Sequence, residues 1–436
     1  MGLVATTTPS SHGDPGPPAP GLPALPAPGR RKYTRKVTIP ALVLGDVPQL
    51  DRRIWWLAAA RFVVTAGFAA VMPFLAIHLA VERHFPILQI GVMWTVVGLV
   101  SASSQWVAGQ ITDRLGRRRV LLAAMLLRSV NLVALGFAIG ARAPFLAIAF
   151  LSIINGATRA FYDPAASAVV AALCAREQRV AAFSLHRVGS SLGWTAGPLV
   201  VTFVPSASYS ALFYVAAPVT LLAALAMTRI PETGPAMASA PLGPPRLSQL
   251  ATFRADRKFM RFLLAILPFF VLQTQMYHIL PIFAAKHLGL DRTQVGSLFV
   301  INGMLVVLLQ LPAVRLIQRI GTSGALVAGS LGYLLAYGGV ALASSYLALL
   351  LCVVLGTLCE IVAVPAYQAR VTALAPVDAV AGYVGLAGLV QGIAQTSGPI
   401  VGSALIDLVS PTWGWVLLAL LGVVAAAGFR RRADDQ

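Results

Sequence analysis

The chain has 436 residues, 58% of them hydrophobic and only 11% charged, and a mean hydropathy of +0.79. Soluble domains carry about 25% charged residues, so this composition excludes an ordinary soluble enzyme and predicts a polytopic helical membrane protein. The formal charge of +18 does not point to nucleic acid, because the basic residues stand in short clusters between long apolar runs, the pattern of cytoplasmic loops.

Residues 1–53 precede the first apolar run. Up to Gly29 they are mostly Pro, Gly, Ala, Ser and Thr with no hydrophobic period, and a disordered tail is expected. The order of basic and apolar residues is not that of a cleaved signal peptide. Arg30, Arg31, Lys32, Arg35 and Lys36, then Arg52 and Arg53, form a basic segment before the first span. It is expected to rest on anionic lipid headgroups, at about 1 kcal/mol per charge near the surface.

A spanning helix needs about 20 mostly apolar residues. Twelve stretches qualify: 54–80, 87–109, 119–140, 144–173, 180–204, 208–228, 259–285, 293–316, 322–343, 346–375, 379–407 and 412–429. The Pro-rich and basic stretch 229–258 reads as a cytoplasmic linker between six-helix halves over 54–228 and 259–430, with a short tail at 431–436. With the N-terminus inside, the inner segments hold 25 Lys and Arg and the outer segments hold four, Arg83, Arg142, Lys286 and Arg292. That bias predicts both termini in the cytoplasm.

The chain repeats itself. At an offset of 205, Gln89 meets Gln294, Gly91 meets Gly296, Gly98 meets Gly303, Gln105 meets Gln310, Arg114 meets Arg319 and Gly116 meets Gly321. At 201, Pro164 meets Pro365, and Gly197-Pro198 meets Gly398-Pro399. The copies are six spans apart and so share one orientation, which predicts two parallel pseudo-symmetric bundles with a substrate site between them near the midplane.

Two motifs carry a resemblance. Between the second and third spans stands Gly109-x-x-x-Asp113-Arg114-x-Gly116-Arg117-Arg118, and in the fifth span Gly189-x-x-x-Gly193-x-x-x-Gly197-Pro198. Over residues 50–430 the chain resembles a major facilitator superfamily transporter, most of all the twelve-helix drug/proton antiporter branch. The first motif matches the family's signature loop at every defined position. The second resembles the motif associated with antiporters, but Leu199-Val200-Val201 follow the proline in place of small residues. Ile153 stands where the family's fourth-helix arginine would be expected, and Arg159 lies six residues later. The resemblance implies an all-α fold of two six-helix bundles and alternating access. It also implies that the signature loop gates the cytoplasmic mouth, with Asp113 as a latch on the start of the eleventh helix near Gly382.

A charge inside a bilayer costs at least about 2.5–3.5 kcal/mol on insertion scales, so each one needs a partner or a role. Arg159 and Asp163 lie four apart on one side of the fourth span. Glu360, at the middle of the tenth, falls opposite Arg159 at the 201 offset, so the two are expected at similar depth on opposite walls. Glu360 is the first candidate proton carrier, because alternating access can move a carboxylate between environments that favour and disfavour its proton; a structural ion pair across the bundles is the competing role. Asp163 is a second candidate for proton coupling or for a gating network. Arg61, Arg159, Gln273, Tyr277, His278 and Gln391 are candidates for the cavity wall; the alternative is helix packing for Arg61, an ion pair with Asp163 or across the bundles for Arg159, a proton-sensing or hydrogen-bonded packing role for His278, and hydrogen bonding to neighbouring helices for Gln391. Arg128 is read first as balancing a neighbouring acid rather than touching cargo, and Gln105, Asn131, Asn155, Asn302, Tyr333, Tyr337 and Gln395 are read first as helix-to-helix partners.

No Gly-x-x-x-x-Gly-Lys-Ser/Thr phosphate loop occurs, so ATP is not expected to drive the protein, and no catalytic set, cofactor or metal is expected. Cys174, Cys352 and Cys359 fit no metal-ligand spacing. The expected function is secondary active transport: proton-coupled efflux of an amphipathic drug, antibiotic or toxic metabolite. The alternatives are uptake or exchange of an anionic metabolite clamped by Arg61 and Arg159, and a transporter-like sensor. Only four of the 33 basic residues are Lys. That bias, with abundant Ala, Gly and Pro, suggests a high-GC bacterial genome and a bacterial plasma membrane. The expected partners are a small-molecule substrate and the bilayer, with the chain acting as a monomer.

Overall fold

The computed structural model describes residues 51–173, 179–202, 208–228, 256–376 and 380–430, apart from some side chains, chiefly within 106–117 and 163–187. The expected tails and linker, 1–53, 229–258 and 431–436, lie outside the described residues except at their edges. Among the described residues all regular structure is helical. The first half holds α1 (Arg52–Ile77), extended by a π turn over His78–Glu82, then α2 (Ile87–Leu115), α3 (Arg117–Gly140), α4 (Phe145–Leu173), α5 (Arg179–Thr202) and α6 (Tyr209–Met227). The second holds α7 (Arg257–His278), the short α8 (Leu280–His287), α9 (Arg292–Leu342), α10 (Tyr346–Leu374), α11 (Val380–Ala404) with a π turn over Leu405–Val409, and α12 (Pro411–Phe429).

Among the described residues nine helical stretches are long and apolar enough to cross a membrane. Helices α5, α6 and α11 occupy the other three expected spans. Polar caps start several helices. The Asp256 side chain accepts from Phe259 N at 3.0 Å and Ser410 from Trp413 N at 3.1 Å. Asp291 and Gln294 close a reciprocal capping box at 2.8 and 3.1 Å.

The structure departs from the expected spans in two places. The seventh is interrupted at Ile279 and resumes in α8 with Pro281 in its first turn. Proline has no N–H to give to the carbonyl four residues earlier, so the ladder breaks there. The eighth and ninth are not joined by a loop. They are the two limbs of α9, bent at Gly321 with φ 73° and ψ 161°. Gly116, its mate at the 205 offset, sits between α2 and α3 with φ 91° and ψ 144°. Both copies therefore reverse direction through one glycine in a region of backbone space that is nearly closed to other residues.

In the first half α1 packs on α5, α3 on α6, and α4 on α2 and α3; in the second, α10 and α12 pack on α9, and α11 and α12 on α7. Between the halves the most extensive contacts are α2 with α11 and α5 with α9, with α1 also touching α8. The first two pairs are repeat mates down to the contact. A Cβ on Gly98 would lie 3.0 Å from Thr396, and one on Gly303 would overlap Thr195, the residue 201 before Thr396. The perimeter is apolar, with Leu146, Leu342 and Phe137 70–82% exposed, as a lipid-facing surface requires. Polar side chains turn inward and link helices: Asn155 donates to Asn131 at 3.3 Å, Ser129 to Ala217 O at 2.9 Å and Asn302 to Thr357 at 2.8 Å.

Candidate functional site

Glu360 lies at the middle of α10, between the first turns of the helix and Pro365. Gln273 Nε2 donates to its Oε1 at 3.0 Å, and the Tyr277 hydroxyl donates at 3.4 Å from each carboxylate oxygen. Among the described residues these are its hydrogen-bond partners, and both are neutral. They stand four apart on α7 and so share one face of it. The other amide atom, Gln273 Oε1, is buried without a hydrogen-bond partner, which costs about 1–3 kcal/mol unless a donor arrives. A small gap lies beside Glu360, with Asn302, Tyr333, Tyr337 and Thr357 in its wall. The Tyr337 hydroxyl donates to Leu272 O at 2.8 Å and so ties this wall to α7.

Rings from both halves meet over this group. Trp194 of α5 lies 5.7 Å from Phe68 of α1 and 5.2 Å from Tyr277, and Tyr277 lies 6.3 Å from Phe299 of α9. Trp94 of α2 meets the His278 ring edge-on at 5.8 Å. The other His278 contact, Nδ1 to Thr274 O at 3.1 Å, stays on its own helix. The cations of the first half also sit on rings. Arg159 lies 4.2 Å and Arg128 5.9 Å from the Phe68 centroid, and Arg61 lies 5.6 Å from that of Tyr162. Each such contact offsets about 0.5–2 kcal/mol of the cost of burial. Gln391 is half-buried on α11.

At the end where α1 finishes and α2 and α9 begin, polar contacts tie the halves together. Arg292, the first residue of α9, lies 3.3 Å over the Tyr209 ring and 3.7 Å from Glu82, and Glu82 also meets His78 Nδ1 at 2.8 Å. Asp407, just past α11, accepts from Leu88 N at 2.7 Å, within the first turn of α2, where the helix dipole favours an anion. His287, beyond the spans, has its pKa lowered by burial and by Lys286 while Asp407 pulls it up. Sequence reasoning missed this seal. It counted Arg292 among the outer charges, and nothing local pairs residues more than two hundred positions apart.

A sequence profile of the Major Facilitator Superfamily matches residues 57–290 and 276–435. The chain belongs to that superfamily. Its members are transporters, and this chain is a multi-pass membrane protein. It is 29% identical over 301 residues to an uncharacterized MFS-type transporter, YhjO of Bacillus subtilis (strain 168), covering 69% of this chain and 73% of that one. It is 26% identical over 388 residues to the multidrug resistance protein MdtH of Aeromonas salmonicida (strain A449), covering 85% and 92%. Among solved structures, a POT family transporter in complex with 5-aminolevulinic acid superimposes with a TM-score of 0.69 at 15% identity, covering 87% of this chain and 94% of that one.

The superfamily motifs fall on α2, α3 and α5. Gly109 and the side chains of Asp113, Arg114, Arg117 and Asp163 lie outside the described set; Gly116 makes the turn and Arg118 is half-buried at the start of α3. In α5, Gly189, Gly193 and Gly197 all face the α1 backbone. A Cβ on Gly193 would lie 2.7 Å from Phe62 O, one on Gly197 2.5 Å from Ala66 O, and one on Gly189 would overlap Ala58 O. Pro198, next in line, places its carbonyl 3.6 Å from the Cβ position of Gly296 in α9. The three glycines let the axes of α1 and α5 approach as small-residue seams do in membranes. The same stretch reads Gly189-x-Ser191-x-Gly193, the spacing of a hydrolase nucleophile elbow. That motif needs a strand-to-helix turn, whereas here it lies within α5.

Proposed function

We propose that this transporter exports an amphipathic organic molecule in exchange for protons, working by alternating access in a bacterial plasma membrane with both termini inside. The observation that carries the reading is Glu360, a carboxylate deep in the fold whose hydrogen-bond partners are neutral. An ion-paired carboxylate is locked in its charged form. One held by an amide and a phenol can take a proton and keep its partners, because an amide that turns over presents its oxygen to the new O–H. The unmet Gln273 Oε1 is the acceptor such a turn would use, or one that a donor on the cargo would meet. The aromatic layer over it suits an apolar or aromatic cargo body. The similarity to MdtH supports efflux.

The cycle runs as follows. With the seal at Arg292 closed and the inner mouth open, cargo enters from the cytoplasm and displaces the proton from Glu360. The halves then rock, the seal opens, cargo leaves outward, and a proton from outside reloads the carboxylate. A proton moving inward down 100 mV supplies about 2.3 kcal/mol and one pH unit about 1.4, enough for a cargo gradient of roughly a few hundredfold.

Flux into inverted membrane vesicles tests this. An imposed proton gradient should drive cargo inward, and added cargo should release protons. Movement of anions alone, without protons, would favour uptake or exchange of an anionic metabolite. Ligand binding with no flux would favour a sensor.

A further inference from the structure

The gap beside Glu360 belongs to the second half. Among the described residues its lining comes from α7, α8, α9 and α10 and from no helix of the first half. It extends from Glu360 toward the seal. Helix α10 starts at the seal end, because its first residue, Tyr346, meets Ser297 in the second turn of α9 at 2.6 Å, and α9 begins with Arg292. The α10 residues that line the gap, Cys352, Val353, Gly356 and Thr357, all stand between Tyr346 and Glu360. Part of the lining is polar: Asn302 Nδ2 donates to Thr357 Oγ1 at 2.8 Å, and Thr357 donates to Val353 O at 2.7 Å. The Tyr333 hydroxyl makes no hydrogen bond among the described residues, although Tyr333 is only 2% exposed. The rest is apolar, with Met276, Leu280 and Val340 buried. The first half is built otherwise at this place. The offsets of 205 and 201 set Asn302 on Val97 and Thr357 on Gly156. A Cβ on Gly156 would lie 2.7 Å from Val97, so a close apolar contact stands where the second half keeps a polar pair.

We infer that this gap binds a water that relays protons to Glu360 from the seal end, so that protons travel inside the second half while cargo passes between the halves. The inference rests on the reading of Glu360 as the proton carrier. A buried water needs about 2–4 polar partners, and the Tyr333 hydroxyl, Asn302 Oδ1 and the Glu360 carboxylate supply them. The water gives one proton to the carboxylate as it takes another from the seal side, so it ends unchanged and Glu360 becomes a neutral acid. Leu280, the first residue of α8, is the stopper of this route. Helix α8 packs on α1 and on its π turn in the first half, so the rocking that opens the seal also moves Leu280. Glu360 then meets outer protons in the state that releases cargo, and a leak that bypasses the exchange is avoided.

The test follows Glu360 itself and needs no cargo. The full chain is held in one orientation in sealed vesicles of phosphatidylethanolamine and phosphatidylglycerol, strongly buffered inside, and the outer solution is acidified in a stopped-flow infrared cell. The carboxylic acid band that Glu360→Gln removes reports the protonation of Glu360. It should rise after the outer acid jump. Gly356→Val should slow the rise about tenfold, the loss expected for one relay hydrogen bond, and still reach the parent's amplitude at long times. A Cβ at Gly356 would lie 3.8 Å from Ala336 and 3.9 Å from the Tyr333 ring, so the first carbon fits and the added methyls take the place of the water. Gly338→Val, a like change on α9 where a Cβ meets nothing within 4 Å, should rise as the parent does. Equal rates in Gly356→Val and the parent, equal slowing in both glycine variants, or a band that appears in symmetric acid but not after the outer jump, overturns the inference. A parent with no band that Glu360→Gln removes, even in symmetric acid, would instead remove the reading of Glu360 as the proton carrier, and this route with it. Should Gly356→Val fail to fold, Tyr333→Phe, which keeps the ring and deletes one partner of the water, should slow the rise about threefold, and an unchanged rate there overturns the inference as well.

Discussion

The α1/α5 seam and the α7/α11 seam occupy equivalent places in the two halves but are built differently. In the first, Gly189, Gly193 and Gly197 meet the carbonyls of Ala58, Phe62 and Ala66, backbone against backbone. In the second, Ala394 takes the place of Gly193 at the 201 offset, and Gly398 and Gly402 meet the side chains of Thr274 and Gln275. Gln275 Nε2 also donates to Gly398 O at 3.0 Å and so threads that seam. A backbone seam has no degree of freedom to spend on movement, whereas a seam made of side chains can repack. The half with the side-chain seam is also the one whose α7 presents Gln273 and Tyr277 to Glu360. The side-chain seam thus lies in the half that carries Glu360, the proposed proton carrier.

The largest effect should come from breaking the rigid seam. Gly193→Leu puts four carbons where a single Cβ would already lie 2.7 Å from Phe62 O. Overpacking of this kind costs about 1–3 kcal/mol when neighbours can shift, and here the neighbour is backbone. The expected outcome is a cost above about 3 kcal/mol and little folded protein by size-exclusion chromatography. Ala394→Leu, in the seam with side-chain neighbours, should retain more folded chain. Equal loss in both would remove the distinction between the seams.

Next comes Glu360→Gln, which should leave the fold intact because glutamine keeps the shape and can still pair with Gln273. Proton-driven cargo uptake into inverted vesicles is expected to fall at least tenfold, about 1.4 kcal/mol or more, with cargo binding within about threefold of the parent. Arg159→Gln, on the cation side of the comparison, should weaken binding rather than coupling. Resistance or flux that survives Glu360→Gln would sink the proton-carrier role.

Much of this was legible in the sequence, because lipid enforces it. A span needs a long apolar run, the loops must carry the charge bias, and the repeat appears as glycines at fixed offsets. Gly116 and Gly321 were paired by sequence and share a backbone conformation. The break at Ile279 was not legible, because proline inside a helix usually leaves it unbroken in this chain, as at Pro73 and Pro268. Nor was the hold of Gln273 and Tyr277 on Glu360: sequence reasoning placed Arg159 opposite that carboxylate and had only depth to judge by, while the pairing depends on how α7 turns about its axis. The three glycines of α5 were read as an antiporter signature, and the structure gives them a packing task that any transporter with close helices could share.

Gly116→Ala and Gly321→Ala probe the same comparison at the turns. A side chain at these angles costs about 1–3 kcal/mol, so both variants should lose a similar amount of stability by thermal melting. The two differ in what surrounds the turn. Gly116 lies in a motif with Asp113, while Gln318 stands at the matching place before Gly321. If Asp113 acts as a gate, Gly116→Ala should slow turnover several-fold beyond its stability cost, and Gly321→Ala should not. Equal turnover in the two would reduce the motif to a tight basic turn.

The smallest effect is expected between the halves. Arg292, largely buried, lies 3.7 Å from the half-exposed Glu82 and stacks on Tyr209 at 3.3 Å. An exposed ion pair is worth about 0.2–1 kcal/mol and a cation–π contact about 0.5–1 at such a site, so Arg292→Gln should cost about 1 kcal/mol. That is small beside a seam within either half, as the proposed alternating access would require. Contacts broken in every cycle set the barrier to opening, and a seal of several kcal/mol would trap the protein shut. The measurement is the rate at which a cysteine at position 299, in a chain whose Cys174, Cys352 and Cys359 are changed to Ser, reacts with a membrane-impermeant maleimide added outside. Arg292→Gln should raise that rate about fivefold while the melting temperature barely moves. A drop in melting temperature as large as that of Gly321→Ala would instead make Arg292 a fixed structural contact, and the moving boundary would then lie elsewhere between α2 and α11.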